Sequence, residues 1–185
     1  MEETLILVDQ DDRPTGFAEK LLVHQEGLLH RAFSIFIFDQ QGRLLLQQRA
    51  LTKYHSQGLW TNTCCGHPRQ GEETCSAAKR RLREEMGIEC ELHAVAHLLY
   101  REQVSNQLIE HEYDHVFAGI YSQDPVANPD EAQAWQWLSL AELSQRISVA
   151  PQTFSVWFCK IFERHAIAGL QDWQAQAQAS SSSHG

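Results

Sequence analysis

The sequence predicts a mixed α/β (α+β) fold, a sandwich of one mixed sheet with flanking helices. Three observations predict it. β-favouring runs occur in both halves of the chain, one helical pattern interrupts them midway, and two more helical patterns close the C-terminal part. At 185 residues, 43% of them hydrophobic, the chain is long enough to bury one sizeable core. That domain is read over residues 1–170, with a disordered tail over 171–185.

The elements follow in order. Thr4–Val8 reads as a first strand, closed by the turn-rich D-Q-D-D-R-P-T-G. Residues 33–38 and 43–48 are apolar runs separated by D-Q-Q-G, a hairpin signal. Residues 51–71 are rich in Gly, Thr, Asn, Cys and Pro and read as a long loop, a feature that compact domains keep for function. From 72 to 86 the pattern turns helical, with Ala77, Ala78, Leu82 and Met86 on one stripe and Gly87 as its C-cap. Strands follow at 94–101, 112–121 and 134–138. Ser139 and Glu142 form a capping-box pair for a helix over 139–147. An amphipathic helix over 154–171 carries Val156, Trp157, Ile161, Phe162 and Ile167. The tail ends in Q-A-Q-A-Q-A-S-S-S-S-H-G, a low-complexity composition expected to stay disordered.

Composition narrows the function. The net charge of −9, with no basic stripe, argues against general nucleic-acid binding. An anionic small molecule stays possible, because bound divalent cations reverse the local field. No apolar run approaches the roughly 20 residues that cross a bilayer, so no membrane contact is expected. The acidic N-terminus lacks the basic lead of a signal peptide. Five cysteines, an odd number with Cys64 and Cys65 adjacent, fit reduced thiols in a reducing compartment. A cytoplasmic, monomeric enzyme is the expectation.

One segment carries specific chemistry. From Gly66 the chain reads G-H-P-R-Q-G-E-E-T-C-S-A-A-K-R-R-L-R-E-E-M-G-I. Its spacing resembles the Nudix box, in which a loop and helix bring carboxylates to one end of a sheet to hold Mg²⁺ against a diphosphate. One position departs: Arg81 stands where the box has Glu. That change counts against diphosphate hydrolysis. The segments K-L-L-V-H-Q-E-G-L-L-H-R-A-F-S, R-A-L-T-K, T-N-T-C-C-G-H-P and I-E-H-E-Y, in that order, resemble the type I isopentenyl-diphosphate isomerases. The resemblance runs from about residue 4 to residue 157. It implies a Nudix-like fold and an enzyme that moves a double bond between isopentenyl and dimethylallyl diphosphate.

The same resemblance implies a site. His24, His30, His67, Glu110 and Glu112 fall on the positions that surround one divalent metal. Singly, each histidine is more often an ordinary surface or core residue. Three imidazoles and two carboxylates suit Mn²⁺, Mg²⁺ or Zn²⁺, and composition does not choose between them. Cys65, which alone immediately precedes G-H-P, and Glu112 fall on the acid–base pair, with Tyr100 beside them. Cys64 is expected to face away if the segment is extended. Lys20, Arg49, Lys53 and Arg81 match the cations that face the diphosphate. Glu85 matches a ligand for Mg²⁺ that arrives with the substrate, and Trp157 the ring over the hydrocarbon end. From helical periodicity alone, Trp157 is nearly as well read as a core residue. Trp60 is held as structural, and Glu72 and Glu84 as helix-end charges or charges just behind the ligands, not as ligands themselves. His55, His93, His97, His111, His115, His165 and His184 match no ligand position, and no flavin is expected. Two other readings compete: a Nudix diphosphohydrolase, and a catalytically silent metal-binding regulator.

Overall fold

The computed structural model describes residues 3–104 and 107–182. The strands are β1 (Thr4–Val8), β2 (Pro14–Glu19), β3 (His30–Phe38), β4 (Leu44–Arg49), β5 (Trp60–Thr61), β6 (Cys64–Gly66), β7 (His93–Gln103), β8 (Ile109–Ile120) and β9 (Ala132–Leu138). The helices are α1 (Lys20–Glu26), α2 (Thr74–Met86), α3 (Leu140–Val149) and α4 (Val156–Ser182). Among the described residues the strands join one mixed sheet.

Strand β3 is its axis. It pairs antiparallel with β6 on one side and parallel with β8 on the other. Its first residue, His30, also meets β1, and its last, Phe38, meets β4 across the expected hairpin. A strand buried on both faces reads as an unbroken apolar run, and residues 33–38 are such a run. The pleat divides it: Phe36 and Phe38 join one core with Trp157, Phe158 and Ile161 of α4 and Leu143 of α3. Phe33, Ile35 and Ile37 join a second core with Ala77, Ala78, Leu82 and Met86 of α2. Helices therefore cover both faces, the sandwich that the sequence predicts.

Helix ends follow local chemistry. The Glu73 side chain accepts from the Cys75 and Ser76 amides and starts α2, and Gly87 ends it in the left-handed conformation (φ 65°). Ser139 and Glu142 form the expected capping box of α3. Strand β2 and helix α1 went unread, in a stretch of turn residues with no sustained apolar period. The loop over 51–71 holds the short strands β5 and β6.

The tail is a correction. Helix α4 runs to Ser182 and breaks at Ala166 (φ 53°, ψ −171°). Beyond the break Leu170, Trp173 and Ala177, spaced to share one helical face, are buried in the core of Phe36. The Trp173 ring stands T-shaped on Phe36 with centroids 5.1 Å apart. Alanine is the strongest helix former, so a Q-A repeat is helical once a few apolar anchors hold it. Residues 183–185 of the expected disordered tail lie outside the described residues.

Candidate active site

The site face of the sheet carries His30 from β3, Cys65 from β6, and Glu110, Glu112 and Asp114 from β8. Registers place His30 opposite Glu112 and Ser34 opposite Cys65. Helix α1 adds His24. Its C-cap, Gly27, is left-handed (φ 62°), and the Gly27 carbonyl accepts from His111 Nδ1 at 2.9 Å, which ties α1 to β8. His67 follows Gly66, where a Cβ would approach Phe33 to 2.8 Å, so only glycine lets this backbone lie so close to β3.

One ligand atom each from His24, His30, His67 and Glu110 lie within 4.8 Å of one another. His24 Nδ1 meets the Lys20 carbonyl at 2.6 Å, and His30 Nδ1 meets the Leu28 carbonyl at 2.9 Å. A carbonyl only accepts, so both Nδ1 atoms carry a proton and both Nε2 atoms are turned inward. These Nε2 atoms are buried without a hydrogen-bond partner, as is Glu110 Oε2. His24 Nε2 and Glu110 Oε2 nevertheless stand 3.2 Å apart. Buried lone pairs converging on one point fit a cation and little else. Burial opposes charge on Glu110, but the His24 and His55 rings beside it hold its carboxyl well below the usual range.

Glu112 stands at the edge of this cluster. Its Oε1 is 3.2 Å from His67 Nε2 and 3.6 Å from His30 Nε2, and its Oε2 accepts from the Tyr100 hydroxyl. Burial and the Glu110 charge push its carboxyl up, yet His30 and His67 leave it below the ordinary value. Across β3, Cys65 donates to Asn62 Oδ1 at 3.2 Å. The Asn62 amide nitrogen is spent on the Ile35 and Cys64 carbonyls, which fixes its oxygen toward the thiol. Burial, then the nearby Asp114 carboxylate, pushes the Cys65 thiol up to about 12. At neutral pH it keeps its proton. Cys64 points to the other face, wholly buried in the core of α2.

A cavity of about 880 Å³ opens over these groups, lined by Lys20, Arg49, Lys53, Cys65, His67, Arg81, Glu85, Glu110, Glu112 and Trp157 among others. His24, His30 and Tyr100 do not line it but touch Glu110 and Glu112, which do. The NUDIX domain family matches residues 28–158. The isopentenyl-diphosphate Delta-isomerase of Serratia proteamaculans is 53% identical over 173 residues, covering 94% of this chain and 97% of that protein. The enzyme of the same name from Burkholderia multivorans is 54% identical over 175 residues, covering 94% and 98%. This chain belongs to the isopentenyl-diphosphate Delta-isomerase family. Among solved structures, the DR0079 protein of Deinococcus radiodurans superposes with a TM-score of 0.73 at 20% identity, covering 88% of this chain and 98% of that one. The MutT protein of Methanosarcina mazei gives 0.61 at 20% identity, covering 74% and 91%. Both share this fold, which the NUDIX match names.

Within this isomerase-family chain, Arg81 sits among carboxylates: Glu84 at 2.7 Å, Glu85 at 2.5 Å and Glu131 at 3.0 Å. Glu131 also meets Lys53 and so joins two of the cavity's cations, a role that sequence reading missed. Gln47 holds Glu85 through its other oxygen at 2.9 Å. Glu72, just before α2, pairs with Arg80 within it at 2.7 Å. Arg49 lies 5.1 Å over the Trp157 ring, and Lys20 pairs with Glu3. Trp60 packs against the core of α4 and lies away from the cavity. His55, read as ordinary, is buried against Glu110. Its signal was absent from local sequence, because its partner lies far along the chain.

Proposed function

We propose that this protein interconverts isopentenyl diphosphate and dimethylallyl diphosphate by protonation and deprotonation through a tertiary carbocation. The observation that carries the reading is one protonated thiol, Cys65, and one ionised carboxylate, Glu112, reaching a single cavity from strands on either side of β3. An unactivated alkene needs a proton at its terminal carbon and loses another from the carbon beyond the cationic centre. One member of the pair gives the first proton and the other takes the second. Their roles exchange when the reaction runs backwards. Tyr100, hydrogen-bonded to Glu112, holds that carboxylate in place.

Lys20, Arg49, Lys53 and Arg81 bind the diphosphate oxygens and so fix the chain of the substrate against the pair. Trp157 offers its ring face to the cation, an interaction of about 2 kcal/mol when desolvated. The site residues fit a divalent metal held by His24, His30, His67, Glu110 and Glu112, of Mn²⁺, Mg²⁺ or Zn²⁺ type, which would supply the positive charge that keeps Glu112 ionised. Glu85 would hold an Mg²⁺ carried in by the diphosphate. The partner is a small isoprenoid diphosphate, met by a monomer in the cytoplasm. Five free cysteines accord with a reducing compartment, and no described helix is long and apolar enough to cross a membrane.

The test is turnover in D₂O with Mg²⁺ present. We expect deuterium in both isomers and no released phosphate. Phosphate release without allylic product would instead identify a hydrolase.

A further inference from the structure

The metal-site reading leaves the buried His55 without a role, and the inference made here rests on that reading. His55 is 4% exposed, on the loop between β4 and β5. Its Nε2 lies 3.2 Å from Glu110 Oε1, the oxygen opposite the one that faces His24. At that distance the ring nitrogen and the carboxylate oxygen share a proton, which His55 Nε2 donates. Its Nδ1, 3.2 Å from Ser56 Oγ, then accepts from that hydroxyl. The following backbone turns through the left-handed region at Ser56 (φ 52°), a strained conformation for a residue with a side chain. The His55 ring stands edge-on to Trp157, with centroids 6.0 Å apart at 84°, and packs 4.5 Å from the Tyr54 ring. Its carbonyl accepts from Arg49 at 3.2 Å. Side chain and backbone are thus held from three directions.

We infer that His55 is a positioning residue for the metal carboxylate Glu110. By occupying Oε1 it fixes the plane of the carboxyl group and leaves Oε2 aimed at the point where the His24 and His30 lone pairs converge. A carboxylate free to rotate would present either oxygen, or both, and the site would lose its set geometry. Partners of this kind, which touch a ligand and not the metal, change metal affinity by about 10–100-fold when removed.

The experiment titrates Mn²⁺ alone into the metal-free full chain and follows heat. His55→Phe keeps the ring and its burial but removes the donor. His55→Gln places an amide N–H near the position of Nε2. We expect His55→Phe to weaken Mn²⁺ binding by about 10–100-fold, and His55→Gln to stay near the parent. A role in packing alone would lower the unfolding temperature and leave Mn²⁺ affinity unchanged. Parent-like affinity in His55→Phe, or equally weak binding in both variants, overturns the inference. If His55→Phe does not fold, His55→Gln decides alone, and binding tenfold or more below the parent overturns the inference. A parent chain that binds no Mn²⁺ defeats the metal-site reading itself, an outcome distinct from the failure of His55 alone.

Discussion

Cys64 and Cys65 are adjacent and chemically identical, yet the strand pleat sends one into the α2 core and the other to the cavity. Their substitutions should therefore separate. Cys65→Ser and Glu112→Gln are each expected to lower kcat by about 10²–10⁴-fold, the usual range for losing a positioned acid or base. Cys64→Ser should keep kcat near that of the parent but cost about 1–3 kcal/mol of stability, because a hydroxyl enters an apolar core. Steady-state kinetics beside urea unfolding distinguishes the two effects, and an inactive Cys64→Ser with an active Cys65→Ser would reverse the register. This register was legible in sequence because C-G-H-P is contiguous. His55 and Glu131 were not legible. Each gains its role from a partner brought close only by the sheet: Glu110 for the first, Arg81 and Lys53 for the second.

At the scale of elements, local signals located strands and helices wherever apolar residues repeat with one period. Strand β1, helix α2 and the α3 capping box are such cases. Strand β2 escaped because it is a half-exposed edge, with no alternation strong enough to stand above its Pro and Gly. The C-terminal part of α4 escaped because composition outweighed three spaced anchors, Leu170, Trp173 and Ala177. Its helical state makes a direct prediction. Trp173→Ala should cost about 3–5 kcal/mol, as for other buried aromatic truncations. Denaturant unfolding reads this, and a disordered tail would show no change. Glycines at Gly27 and Gly66 act at the same scale, one ending α1 so that His24 faces β8, the other admitting the His67 loop against Phe33.

At the scale of the whole molecule, carboxylate–cation pairs line the cavity, Lys20 with Glu3, Lys53 with Glu131 and Arg81 with Glu85, and others lie beyond it. Hydrogen bonding to Arg80 lowers the Glu72 carboxyl. Burial opposes ionisation of Glu131, but Lys53 and Arg81 still hold it below its ordinary value. Groups with depressed folded values stabilise the protein above the unfolded carboxylate range, about pH 4.3, and lose that contribution as pH falls through the folded values. The parent's advantage in urea midpoint over a Glu72→Gln/Glu131→Gln variant should therefore stay level from neutrality to about pH 5 and decline below it. An advantage that grows on acidification would contradict this assignment. Sequence alone determined the α/β class, the Nudix-like loop and helix and the family, and it singled out His24, His30, His67 and Glu110, whose ligand atoms the fold brings within 4.8 Å of one another. Those are properties of contiguous patterns and of residue type, which the chain carries unfolded. Tertiary structure decided that burial pushes the Cys65 thiol up and that neighbouring histidines hold the Glu110 and Glu112 carboxyls down. It also brought His55 to Glu110 and made the tail part of the core. Each of these depends on burial or on a partner distant in sequence, and neither exists until the sheet closes.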